Sequence, residues 1–331
     1  MKQLISSVVV RFGLALGLIS SLVLSATASA QSYPSRTTHL LVGFPPGGAT
    51  DLVARILAAE LAARLGQPFI VENRAGAAGS IALQAVARAK PDGYMLGFGT
   101  NGAMTINVHM ADKPTFEPLK ELVPVAQIAD IPMLILANQA APFNNVSELI
   151  STARAQQGKL NFASTGVTTL PHLLGELFNR RAQVQMTHVP YKGGAPAALA
   201  IASGEVPFGF VDISSAVPFL KSGRAKGLAV TSAKRTKLAP DIPTIGESGG
   251  LSGFDHAGWI GLFAPAGLPA PISERLQTGI EAILGRPDIV EKMLPLMAAP
   301  AFESSAQFDK RLRAESQMWA ELIRTLGKTS K

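Results

Sequence analysis

The 331-residue sequence contains no cysteine. That absence excludes disulfides, thiol nucleophiles, cysteine-ligated zinc and a lipid anchor carried on a cysteine. Charge is sparse too: charged residues make up 16% against 47% hydrophobic, the reverse of the balance in a disordered chain. Metal-binding spacing is missing. The histidines, His39, His109, His172, His188 and His256, form no H-E-x-x-H pair. No G-x-x-x-x-G-K-[ST] phosphate loop occurs, and no G-x-S-x-G elbow is read in the sequence. Long apolar runs are also lacking beyond the N-terminus; the longest, around Pro132–Ala137, suits a buried strand.

The N-terminus has the three parts of a secretory signal peptide. Lys2 and Arg11 supply positive charge with no acid before Ala30. Phe12–Leu24 is an apolar run of about 13 residues, short of the ~20 that span a bilayer. Ala28-Ser29-Ala30 then offers a small-x-small cleavage site. The expectation is cleavage after Ala30 and a periplasmic protein with no direct membrane insertion. Losing Lys2 and Arg11 lowers the formal charge from +7 to +5. The remaining basic residues are scattered, apart from Lys234-Arg235-Thr236-Lys237. A nucleic-acid binder would gather them on one face, so no nucleic-acid partner is expected.

What is present is alternation. Strand, Gly-rich loop and helix follow one another from His39 onward. His39–Phe44, Phe69–Glu72 and Tyr94–Phe98 read as strands, and Asp51–Leu65 and Ser80–Ala89 as helices. The theme returns with helices Val146–Gln156, Pro171–Arg181 and Ala195–Ser203 among strands Leu160–Ala163, Gln185–Val189, Val206–Val211 and Ala225–Thr231. Ala257–Phe263 reads as a strand, and three helices close the chain. Such alternation implies mostly parallel sheets with helices on both faces. A ligand site then lies beyond the carboxyl ends of the strands.

Two loops there open into helix N-termini, where free N–H groups and the helix dipole hold an anion without Arg or Lys. One is Phe44–Asp51, with Gly47, Gly48, Ala49 and Thr50. The other is Ser164–His172, with hydroxyls on Ser164, Thr165, Thr168 and Thr169. Plain helix capping is the competing reading of each. Asp212 at a strand end either meets a ligand amine or caps the following helix. Lys192 is the only basic residue in a candidate loop. Gly97-Phe98-Gly99-Thr100-Asn101-Gly102 matches G-x-G-x-x-G, but no clear helix pattern follows it, so a dinucleotide site is the weaker reading.

The order of motifs resembles the Bug family, the extracytoplasmic solute receptors of tripartite tricarboxylate transporters. Phe44-Pro45-Pro46-Gly47-Gly48-Ala49-Thr50-Asp51 and Val71-Glu72-Asn73-Arg74-Ala75-Gly76 carry the likeness first. Pro171-His172-Leu173, His188-Val189-Pro190-Tyr191-Lys192-Gly193 and Trp259 with Gly261-Leu262-Phe263-Ala264-Pro265 continue it. The resemblance implies a periplasmic-binding-protein Venus flytrap: two α/β domains, residues 31–129 with 256–331 and residues 130–255, and a ligand cleft between them. It implies that Phe44–Asp51 and Ser164–Thr169 grip a carboxylate, with Thr100, Asn101, Gly166, His172, Tyr191, Lys192, Gly193, Gly194, Ala195 and Asp212 lining the rest. The implied partners are a small organic carboxylate and a two-component membrane permease. A monomer with no cofactor and no catalysis is expected, with an exported α/β enzyme as the alternative. Three departures bear on the ligand rather than the fold: Thr168 where the family has Gly, Gly43 where Pro is usual, and Ile213 where Asn is usual.

Overall fold

The computed structural model describes residues 33–110, 116–156, 158–167, 169–249 and 251–329, so the signal-peptide expectation lies outside the described residues. Residues 36–331 cluster as one compact unit built on two sheets.

The first sheet starts with β1 (Thr38–Val42), α1 (Ala49–Leu65), β2 (Phe69–Asn73), α2 (Ser80–Ala87) and β3 (Met95–Thr100). Leu40, Leu41 and Val42 have no exposed surface, as a parallel strand covered on both faces requires. Gly66 ends α1 in a left-handed conformation, its N–H bonded to the Ala62 carbonyl. After the short α3 (Pro118–Glu121), β4 (Leu122–Ile131) joins this sheet, and β5 (Met133–Asn138) begins the second. There follow α4 (Val146–Gln156), β6 (Asn161–Ser164), α5 (Leu170–Ala182), β7 (Thr187–Pro190), α6 (Gly194–Ser203), β8 (Phe208–Asp212), α7 (Ile213–Lys221), β9 (Ala225–Val230) and α8 (Ile245–Gly249). The chain returns to the first sheet with β10 (Gly258–Pro265), α9 (Ala270–Leu284), α10 (Pro287–Met293), β11 (Ala299–Ser304) and α11 (Ser305–Thr329).

Strand order is β11-β4-β10-β3-β1-β2 in one sheet and β7-β6-β8-β5-β9 in the other. The sheets are mixed rather than mostly parallel. β1 pairs in parallel with β2 and β3, and β6 with β7 and β8. The pairings of β10 with β3 and β4, of β11 with β4, and of β5 with β8 and β9 are antiparallel. The cause is connectivity: a strand that leaves one sheet for the other comes back running the opposite way. β4 and β11 escape the sequence pattern because Pro124 and Gln127 interrupt the first and the second is half-exposed along its whole length.

The two passages between sheets run side by side. Thr231, fully buried, donates its N–H to the Met133 carbonyl (3.0 Å), and its hydroxyl donates to the His256 carbonyl (2.8 Å). The His256 N–H donates back to the Thr231 carbonyl (2.9 Å). Beside this crossing, α11 serves both cores. Phe308 and Leu312 pack with Trp259 and Phe263 of the first sheet. Trp319 and Leu322 pack with Phe162, Phe178 and Phe254 of the second.

Midway along α11, the Glu315 carboxylate gathers four donors. They are Asn101 Nδ2 (2.7 Å), Thr105 Oγ1 (2.8 Å), Trp259 Nε1 (2.9 Å) and Trp319 Nε1 (3.1 Å). Removing the acceptor strands all four donors in a poorly solvated place. Glu315→Ala is expected to cost at least ~3 kcal/mol, and Glu315→Gln less, because the amide keeps one acceptor oxygen. Urea unfolding of the two variants measures this; losses below ~1 kcal/mol in both would show that water replaces the carboxylate without penalty.

Candidate functional site

The predicted residues gather in two sets, each at the carboxyl edge of its own sheet. In the first set, β1 runs into Gly43, whose backbone lies against Gly79; a Cβ at Gly43 would sit 2.3 Å from the Gly79 Cα. This close approach accounts for glycine at position 43. The Phe44 ring covers Gly79 and is itself half-buried. Gly47 adopts φ 87°, which favours glycine, and its N–H donates to Asp51 Oδ2 (2.9 Å). Asp51 is 1% exposed and also accepts from Arg55 Nε (3.0 Å) and Asn73 Nδ2 (2.8 Å). Burial pushes its carboxyl up, but the hydrogen bonds from Arg55, Gly47 and Asn73 outweigh it and hold the group below the usual range. Asp51 therefore shapes the loop from inside, leaving Gly48, Ala49 and Thr50 at its surface.

Thr100 closes β3 half-buried, whereas Asn101 points inward. Its Oδ1 accepts from the Trp259 N–H (2.9 Å) while its Nδ2 meets Glu315. The glycines of the G-x-G-x-x-G match have packing duties: a Cβ would lie 2.8 Å from Val86 at Gly97 and 2.8 Å from the Phe263 ring at Gly99. A π-helical turn, Gly102–Ile106, follows. One feature escapes sequence reasoning. Ala77 and Ala78 hold φ 47° and 52°, exposed and beside Gly102. Two adjacent alanines in this left-handed region are strained, and nothing in their residue type signals it.

The second set forms around β6. Thr165 and Thr169 turn their hydroxyls inward: Thr165 Oγ1 donates to Thr169 Oγ1 (3.1 Å), which donates to the Gly166 carbonyl (2.8 Å). Thr168 lies outside the described residues. Gly166 holds φ 138°, and the Gly193 N–H donates to the Thr165 carbonyl (3.2 Å), drawing the Tyr191–Ala195 loop alongside. Tyr191 donates its hydroxyl to Glu205 (2.8 Å); burial and that carboxylate push its pKa up to about 12. Lys192 and Ala195 are exposed. Asp212 caps α7, accepting from the Ser215 N–H (2.9 Å) and from the hydroxyls of Ser214 and Ser215. Gly194 leaves room for this cap, since a Cβ there would lie 2.5 Å from Asp212 Oδ2.

Behind this set sits a pair of stacked imidazoles. His172 and His188 lie 3.9 Å apart between ring centres, with Phe162 stacked 5.1 Å from His188. His188 Nε2 is 2.6 Å from the Ser164 hydroxyl, which also hydrogen-bonds Gly166. His172 Nε2 lies 3.8 Å from Glu176. Ser164 has no exposed surface, so this serine–histidine contact braces the loop rather than presenting a nucleophile. The letters G-x-S-x-G do occur, at Gly246-Glu247-Ser248-Gly249-Gly250, correcting the sequence reading. The first four lie in the short helix α8, not at a strand-to-helix elbow. The Ser248 hydroxyl there accepts from the Val146 N–H (3.0 Å) and donates to the Leu228 carbonyl (3.4 Å).

Burial lowers both stacked imidazoles to about 4, and at His188 the neighbouring His172 adds to the lowering. Unfolded histidines titrate near ~6.5, so the unfolded chain binds more protons between that value and about 4. The pair's contribution is thus complete above pH ~6.5 and lost as pH falls toward 4. His109 and His256, also lowered by burial, add to the same loss. Thermal unfolding from pH 7.5 to 4 is expected to show a falling midpoint. A His172→Gln, His188→Gln variant is expected to be less stable at pH 7.5 but shallower in slope; an unchanged slope would mean the pair is not held neutral.

Comparison with known proteins places the chain in a family. The family described as tripartite tricarboxylate transporter family receptor matches residues 53–328. Rpa4515 of R. palustris, solved with adipate, is 34% identical, covering 89% of this chain and 98% of its own, with a TM-score of 0.70. MatC of Rhodopseudomonas palustris, with bound malate, is 34% identical over 88% of this chain and 100% of its own, at 0.65. A TctC solute binding protein from Polaromonas, with no ligand, is 27% identical over 89% and 100%, at 0.80. These likenesses accord with a periplasmic-binding-protein fold and with receptors that take up solutes outside the cytoplasm. The chain belongs to the receptor family of the tripartite tricarboxylate transporters.

Proposed function

We propose that this chain is a periplasmic receptor that captures a small organic carboxylate and hands it, unaltered, to a two-component membrane permease. The observation that carries the reading is the pair of loop sets. Each sits at the carboxyl edge of its sheet and leads into a helix, α1 or α5, and each spends polar side chains on holding its own loop. The N–H groups of a helix's first turn have no partner within the helix, and these are the groups that would hold a carboxylate. The adipate and malate found with two relatives support a carboxylate ligand.

The two lobes, residues 31–129 with 256–331 and residues 130–255, close over the ligand by a hinge at the paired crossings, and the receptor works as a monomer. Among the described residues no helix is long and apolar enough to cross a membrane, which suits a receptor whose leader is cleaved after Ala30. Phe44, Gly47–Thr50, Thr165–Thr169 and Tyr191–Ala195 would touch ligand; Asp51, Asn101, Ser164, His172 and Asp212 would hold those loops in shape.

A thermal-shift screen of residues 31–331 against small acids, amino acids and NAD tests the reading. A ligand at 100 times its Kd adds ~2.7 kcal/mol of stability. The expected result is a shift with a carboxylate that is recovered unchanged after overnight incubation, as read by NMR. Consumption of the acid would establish the enzyme alternative instead, and a shift with NAD alone would revive the dinucleotide reading of Gly97–Gly102.

A further inference from the structure

Resting on that receptor reading, the side chains around the two loop sets also specify what kind of acid fits. The charge inventory comes first. On the first sheet, Arg55 is engaged by Asp51 (2.9 Å) and Asn73 (3.0 Å), and Arg74 by Glu72 (3.3 Å). On the second, Asp212 is engaged by Ser214 and Ser215, Glu205 by Tyr191, and His188 by Ser164. Burial keeps the two imidazoles behind the loop neutral. Lys192 is the one cation of the predicted loops, and it is exposed. An acid with three carboxylates, or with several hydroxyls, would leave water for a place that offers few partners, at a high desolvation cost.

The apolar inventory points the other way. Val167 is 62% exposed, the highest value among the large apolar side chains that stand out from the surface, and it sits at the tip of the Ser164–Thr169 loop. On the first sheet, Pro45, Pro46, Ala77 and Ala78 are exposed, and the half-buried Phe44 covers Gly79, which follows Ala78. Ala77 and Ala78 hold their methyl groups there at the expense of backbone strain. An apolar ligand body that covered these groups would gain from every CH₂ it buried.

We propose that the ligand is an acid with one or two carboxylates on an unsubstituted hydrocarbon body, and that Val167 is the residue that selects for that body. One carboxylate lies on backbone N–H groups; a second, where present, meets Lys192. Hydroxylated and tricarboxylic acids are poor ligands because their extra polar groups find no partner.

Isothermal titration of residues 31–331 with adipate, benzoate, malate and citrate at pH 7.5 tests this, together with Val167→Ser and Val167→Leu. Adipate or benzoate is expected to bind at least about tenfold tighter than malate and citrate, the ratio that about two buried CH₂ groups supply. Val167→Ser is expected to shrink that ratio severalfold, and Val167→Leu to preserve it. Because Val167 is exposed, both variants should melt with the parent. Tighter binding of malate or citrate, or a ratio untouched by Val167→Ser, overturns the hydrocarbon assignment while the receptor reading stands. Binding of none of the four, nor of any acid in the wider screen, overturns the receptor reading itself.

Discussion

Everything in this molecule is arranged around two chain passages that must lie side by side. Thr231 makes that possible, because its N–H, carbonyl and hydroxyl all bond to the opposite strand or to the start of β5. A buried passage without such bonds would orphan peptide groups at the driest point of the chain. The Glu315 carboxylate works beside it, collecting donors from the loop after β3, from β10 and from its own helix. The crossing and the carboxylate together fix where β3 ends and β10 begins, and so where the first loop set stands.

How much of this was legible in the sequence depends on the range of the interaction. The helices whose caps and apolar spacing are local emerge with near-correct ends: α4 matches Val146–Gln156 at both, and α1 and α6 differ by one or two residues at the start. β4 and β11 do not emerge, because what makes them strands is their pairing with β10 and with each other. The direction of pairing is likewise invisible locally, so alternation alone suggested parallel sheets where the return of the chain produces mixed ones.

The candidate site shows the same division. The Gly-rich loops announce themselves through composition. The duties of the polar residues among them do not: Asp51, Asn101 and Asp212 all carry chemistry suited to a ligand, and each is engaged by protein partners brought from elsewhere in the fold. His188 is visible only as part of a motif, since its value lies in contacts with Ser164 and His172, residues 24 and 16 positions earlier in the chain. The strain at Ala77 and Ala78 has no sequence signature whatever.

The helix Ser305–Thr329 has a bearing on how such a chain comes into being. It contributes Phe308 and Leu312 to one core and Trp319 and Leu322 to the other, and it follows every strand of both sheets. During vectorial synthesis the first core lacks Phe308 and Leu312, and the second Trp319 and Leu322, until the last helix has left the ribosome. Before then each half lacks a large aromatic residue of its core, which favours an open, unfolded chain.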